Sequence, residues 1–215
     1  FMIKFENNFF HIGNKNFSYV MEISRGKYLL HRYWGKSLKE FRDSIPLQPV
    51  DRGFSGQLAA FENERTFSLD VLPQEFPVNG HTDFRIPAYR VEFENGTNIS
   101  ELNYKGYKIL DDKPEVKGLP QTFGKSQTLQ IELEDICKNF TVFLNYTVFE
   151  DSQVLVRSAK FVNTGAKSIK IRNASSAALD FNDNNFEIID LYGGHAAERT
   201  IQRHKLQRGI FEISS

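Results

Sequence analysis

The chain has 215 residues, and its 27 Lys+Arg are matched by 27 Asp+Glu, so the formal net charge is zero. That balance gives no steering toward nucleic acid or an anionic surface, and no apolar run approaches the ~18 residues of a membrane span. Phenylalanine (20) and tyrosine (8) are abundant, which favours strands around an aromatic core, in one all-β domain or two small ones. The single cysteine, Cys137, excludes an internal disulfide and is compatible with a reducing compartment. The opening FMIKFENNFFHIG has no basic segment followed by an apolar run, so no secretory leader is expected, and Met2 reads as the natural start. Without a leader, the Asn-x-Ser/Thr sites at Asn95, Asn98, Asn139, Asn145 and Asn173 carry little meaning.

In chain order, Lys4–Ile12 and Ser18–Ile23 read as the first strands, and Arg25-Gly26 as a turn that returns Tyr28–Trp34 as a hairpin partner. Lys36–Phe41 suits a short helical turn, and the proline- and glycine-bearing Ile45–Gly56 a loop. Thr66–Val71 reads as a short strand. Tyr89–Phe93 and Glu101–Ile109 flank Glu94-Asn95-Gly96-Thr97, a hairpin signal, and Lys105-Gly106-Tyr107 suits a bulge. Thr128–Glu134 alternates, with Leu129, Ile131 and Leu133 on one face. Phe140–Phe149 is apolar on both faces, which predicts a central strand covered on both sides. Val154–Asn163, Ile169–Asp180 and Phe186–Leu191 follow, and Gly209–Ser215 begins a last strand. Roughly a dozen strands without a long helix predict a β-sandwich.

The stretch Asp70–Arg90 breaks the pattern. Pro73, Pro77 and Pro87 forbid a plain central strand, Asn79-Gly80 is turn chemistry, and Gln74, Glu75, His81, Thr82, Asp83 and Arg85 crowd one loop. Such a loop is either functional or a structural element held by Asp–Arg and Asn contacts within itself.

This stretch, QEFPVNGHTDFRIPAY, resembles the N-terminal domain of bacterial α-galactosidases of glycoside hydrolase family 36. YLLHRYWGK (28–36), RTFSLDVLPQE (65–75), VEFENG (91–96), LNYKGYKI (102–109), GLPQTF (118–123) and DLYGGHAAERTIQR (190–203) extend the likeness along nearly the whole chain. The resemblance implies an all-β, two-sheet β-supersandwich over residues 1–215. It also implies a (β/α)8 catalytic barrel and a C-terminal β-domain elsewhere in a longer polypeptide. Retaining glycosidases need two carboxylates facing each other across the sugar. In the family both lie on the barrel, and the alternating strands and helices of a barrel are not legible here. No catalytic residue is therefore assigned, and the chain alone is expected to hydrolyse nothing.

Two residues are implied in substrate binding by the resemblance. Asp51, in PVDRGFS, corresponds to a carboxylate that accepts hydrogen bonds from galactose hydroxyls, a task suited to an acceptor-only group. Read without the family, it is a loop aspartate paired with Arg52. Arg199, in GGHAAER, corresponds to a guanidinium that donates to substrate through its rigid fork; read alone, it pairs with Glu198 or braces the Gly193-Gly194 turn. Trp34, the single tryptophan, reads as a core residue at a strand end. His81 and His195 sit in Gly-flanked loops, and His11, His31 and His204 are scattered. No metal spacing or phosphate-binding loop emerges, so no cofactor is expected. The implied setting is cytoplasmic, in a homo-oligomer, often a tetramer in the family, acting on melibiose- or raffinose-type sugars. An apolar patch is expected where the barrel packs. A stand-alone carbohydrate-binding sandwich is the alternative, and a raffinose-synthase-like transferase domain a weaker one.

Overall fold

Side-chain alternation builds the two main sheets. The computed structural model describes residues 2–42, 47, 51, 56–80, 82–137, 139–181, 183 and 185–214. Strands β1 (Met2–Glu6), β2 (Phe9–Gly13), β3 (Phe17–Ser24) and β4 (Tyr28–Lys36) form one antiparallel meander. After β5 (Tyr89–Phe93), strands β6 (Leu102–Leu110), β7 (Ser126–Asp135), β8 (Phe140–Phe149) and β9 (Leu155–Asn163) form a second. β10 (Ile169–Ala174) returns to pair with β5, and β11 (Glu187–Tyr192) pairs with β12 (Thr200–Lys205). The chain divides into two compact units, Phe1–Asp180 and Phe181–Ser215. The fold is all-β, with no α-helix among the described residues.

Within the first unit the two meanders face each other across one core. Phe10, Ile12, Tyr19 and Met21 come from one sheet; Leu129, Ile131, Leu144 and Tyr146 come from the other. Leu129 lies opposite Tyr146, Ile131 opposite Leu144 and Leu133 opposite Val142, so the β7 alternation read in the sequence faces the core. β8 is central, between β7 and β9, and covered on both sides as expected. Its second face is closed largely by polar contacts: Thr128 Oγ1 meets Thr147 Oγ1 at 2.7 Å, and Gln130 Nε2 donates to Asn145 Oδ1 at 2.9 Å. The bulge expected at 105–107 is present, as a register shift between Tyr104 and Gly106.

Several expectations are corrected. Lys4–Ile12 is a hairpin, because Asn7 and Asn8 both take positive φ (51° and 67°) and turn the chain; asparagine tolerates this region better than most residues. Residues 36–41 form no helical turn. Thr66–Val71 holds a 3-10 turn at Leu69–Val71 instead of a strand. Its apolar residues Phe67 and Leu69 pack with Tyr28, Leu30 and Leu58 in a second, smaller core. The turn at 94–97 closes, with Gly96 N–H donating to Phe93 O at 2.9 Å, but β5 and β6 do not pair; they enter different sheets. β10 ends at Ala174, short of Asp180, β12 is a strand the sequence did not suggest, and 209–214 forms none. Most of the 45–56 loop lies outside the described residues.

The two sheets are also joined by one buried carboxylate. Glu75 is 0% exposed. Tyr19 Oη, from the first sheet, donates to its Oε1, and Tyr146 Oη, from the second, donates to its Oε2 at 2.8 Å. His31 Nδ1 lies 3.2 Å from Oε1, and Arg157 Nη2 lies 2.8 Å from Oε2. Arg157 also donates to Ala178 O at 3.2 Å, and its guanidinium lies 4.9 Å from the centre of the Tyr146 ring. Burial pushes the Glu75 carboxyl up, but the His31 hydrogen bond, the Arg157 charge and the Tyr19 hydroxyl outweigh it, so it sits below the usual carboxylate range. Burial, together with the neighbouring Glu75 charge, pushes the phenols of Tyr19 and Tyr146 well up, which keeps them donors.

A carboxylate whose folded pKa is depressed adds stability above its unfolded value, about 4.3 for glutamate, and loses it as pH falls through the folded value. Wild-type protein is expected to lose stability below about pH 4, in part through Glu75. Glu75→Gln leaves Arg157 without its buried counter-charge, and a cost of about 3–5 kcal/mol is expected at pH 7. Thermal melts across pH 3–7 check this. Equal melting temperatures for the two proteins at pH 7 would refute the assignment.

Candidate functional site

The 70–90 stretch holds its irregular path through specific bonds. His31 N–H donates to Pro73 O at 2.7 Å and Glu75 N–H to Leu29 O at 3.0 Å, so residues 73–75 follow the edge of β4 although Pro73 has no N–H to give. Gly80 has φ +94°, and a Cβ there would lie 2.9 Å from Ile99 Cγ2, so glycine is required on both counts. Beyond it Asp83 is buried. Its Oδ2 accepts from Gln74 Nε2 at 2.5 Å, and its Oδ1 from Arg85 Nε at 2.9 Å. Arg85 continues outward: Nη2 donates to Leu69 O at 2.8 Å and Nη1 to Asp180. Burial lifts the Asp180 carboxyl above the usual range, Arg85 works against this, and the Asp83 charge adds to it. The Asp–Arg bracing anticipated inside the stretch is therefore present. His81 lies outside the described residues.

Asp51 stands at the surface of the first unit. Its side chain is 62% exposed, and Oδ1 accepts from Arg65 Nε at 3.0 Å. Arg52, the partner considered from sequence, lies outside the described residues. An exposed pair of this kind contributes only about 0–1 kcal/mol, so the carboxylate can change partners cheaply. The surrounding loop is tied to the 80–86 loop, since a Cβ on Gly56 would lie 3.0 Å from Thr82 Cγ2.

Arg199 lies in the second unit, on the loop between β11 and β12, and is exposed with φ +61°. The loop is tight at Gly193, where a Cβ would fall 2.4 Å from Ala197 O. Glu198 Oε1 accepts from Ala196 N–H at 3.1 Å, so this carboxylate braces the loop backbone. Trp34 corrects the sequence reading: it is 46% exposed, at the outer end of β4, with its ring edge-on to Tyr19 at 6.1 Å. The nearby edge of the sandwich leaves it half in water.

Among the described residues, no three His, Cys, Asp or Glu side chains gather as metal ligands, and no helix is long and apolar enough to cross a membrane.

The sequence profile of the glycosyl hydrolase family 36 N-terminal domain matches residues 27–215. The α-galactosidase Mel36A of Lactobacillus acidophilus is 40% identical over 100% of this chain, which covers 30% of Mel36A. The crystal structure of the family 36 α-galactosidase AgaB from Geobacillus stearothermophilus superposes with a TM-score of 0.89 at 38% identity, over 97% of this chain and 29% of AgaB. A variant of AgaA from the same organism, solved in complex with raffinose, superposes with a TM-score of 0.87 at 40% identity, over 94% of this chain and 28% of that one. The chain thus spans under a third of the length of these relatives. It belongs to the glycosyl hydrolase family 36 N-terminal domain family.

Proposed function

We propose that this chain serves as the non-catalytic N-terminal domain of a retaining α-galactosidase that removes terminal α-galactosyl residues from melibiose- or raffinose-type sugars. The observation that carries the reading is its full-length match to the first 30% of an α-galactosidase at 40% identity. The AgaA complex with raffinose supports the substrate class. The reaction needs a nucleophile and an acid/base carboxylate about 5–5.5 Å apart across the sugar. The carboxylates described in detail above do not offer this: Glu75 is sealed in the core, and Arg85 binds both Asp83 and Asp180. The chemistry is assigned to a catalytic barrel elsewhere in the polypeptide.

The domain's part is to support that barrel and the oligomer, a tetramer in this reading, and to present two polar groups to the sugar. Asp51 would exchange Arg65 for two sugar hydroxyls, and Arg199 would donate its fork to another pair. Exposed, free Cys137 fits the cytoplasmic setting proposed. Half-exposed Trp34 favours a second reading, an independent sugar-binding sandwich, because an open indole face can stack on a pyranose.

Assay with a chromogenic α-galactoside separates the readings. The 215-residue chain is expected to be inactive while the longer polypeptide carrying it turns over; hydrolysis by the chain alone would overturn the proposal. Galactose binding by the isolated chain, lost in Trp34→Ala, would establish the second reading. In the longer polypeptide, Asp51→Ala and Arg199→Ala are each expected to lower kcat/KM by about 10–100-fold, the worth of a charge-assisted hydrogen bond, at unchanged melting temperature. Wild-type kinetics in either variant would remove that residue from the sugar site.

A further inference from the structure

The 80–86 loop spends buried charge to display apolar side chains. Asp83 is buried and Arg85 largely so, while Phe84 is 89% exposed and Ile86 62%. Neighbouring side chains in an extended segment point to opposite sides, so once Asp83 and Arg85 are drawn inward, Phe84 and Ile86 face outward together. The loop is pinned, since Asp83 is held by Gln74, and Arg85 reaches Leu69 O, Asp83 and Asp180 at once. Exposed Ile99 packs on Gly80, whose carbonyl accepts from Asp83 N–H at 3.2 Å, and so extends the apolar face. A braced loop with exposed aromatic and branched side chains has already met the ordering cost that binding would otherwise impose. Such a patch marks an interaction site.

From this display we infer that the outward face of the 80–86 loop, centred on Phe84 and Ile86, is a docking surface whose occupant is the catalytic body of the parent enzyme. The inference rests on the proposed function and adds the place of contact. Two observations select the occupant. The loop is joined to the segment carrying Asp51 through the Thr82–Gly56 contact, so a body that takes Asp51 into its sugar pocket passes over Phe84. The face is also small. A stable dimer buries on the order of 1,200–2,000 Å² in total, which a few apolar side chains do not supply. A body tethered in the same polypeptide meets the surface at an effective concentration of about millimolar and needs far less area. The relatives carry more than two thirds of their length outside the region this chain matches.

The test places Phe84→Glu and Phe84→Leu in the longer polypeptide and in the 215-residue chain. In the longer polypeptide, Phe84→Glu is expected to lower kcat/KM at least tenfold and to speed proteolytic separation of the domain at least tenfold, while Phe84→Leu behaves as wild type. In the 215-residue chain both variants should melt within about 2 °C of wild type, as expected of an exposed position. Unchanged activity and proteolysis in Phe84→Glu, beside an active wild type, would overturn the docking surface alone. An equal fall in melting temperature in the short chain would make Phe84 a stabiliser of the domain itself. A dimer of the short chain that Phe84→Glu dissociates would make the occupant a second copy. Both results overturn the inference. An inactive wild-type longer polypeptide would overturn the proposed function, and this inference with it.

Discussion

Glu75 sits where the two sheets of the first unit meet, and it belongs to neither. A carboxylate removed from water is costly unless its oxygens are filled and its charge is matched. Here one sheet supplies Tyr19 and His31, and the other supplies Tyr146 and Arg157. Aliphatic packing across the same gap would tolerate some sliding of one sheet over the other. Four directional partners converging on two oxygens tolerate much less, so this cluster sets the register between the sheets. Because Glu75 belongs to the 70–90 stretch, it also anchors that stretch to the sandwich.

The anchoring explains how a proline-broken segment holds one conformation. From Glu75 the chain runs through Gly80, where Ile99 presses on the backbone, to Asp83 and the three-way contact of Arg85. Each fixed point limits the freedom of the next, so order passes from the core to the surface at Phe84. The Asp51 segment benefits at one remove, through the packing of Gly56 on Thr82 and the pairing of Asp51 with Arg65. Rigid scaffold and exchangeable surface charge thus occur in one connected piece of chain.

The parts of this architecture legible in sequence were those set by local rules. Alternation in β7, the two apolar faces of β8, the Arg25-Gly26 turn and the bulge near Gly106 depend on residues close together in the chain, and they are present. What escaped depends on distant partners. The turn at 94–97 has hairpin chemistry, but Ser100 is fixed by Tyr89 Oη at 2.6 Å while β6 pairs with β7, so the strands diverge into different sheets. Asn7-Asn8 was missed because both residues needed positive φ and neither is glycine. The Glu75 cluster joins residues 44 to 82 positions apart, and no spacing rule reaches that far. Of the site residues, Asp51 and Arg199 came from family likeness; the chain alone offered each only a local ion pair or turn contact.

The contrast among the acidic residues bears on what such a domain can contribute. Glu75 and Asp83 are buried and saturated with donors, so neither can accept a proton from or attack a substrate without dismantling its surroundings. Asp180 has the raised carboxyl that an acid catalyst needs, but Arg85 holds it together with Asp83, and a sugar cannot enter between them. Asp51 is the reverse case: exposed, with no buried partner and a single surface cation to give up. Its chemistry suits binding, because an ionised acceptor in contact with water loses little by trading one donor for another. The domain's buried charge is spent on holding shape, and what it offers at the surface is position.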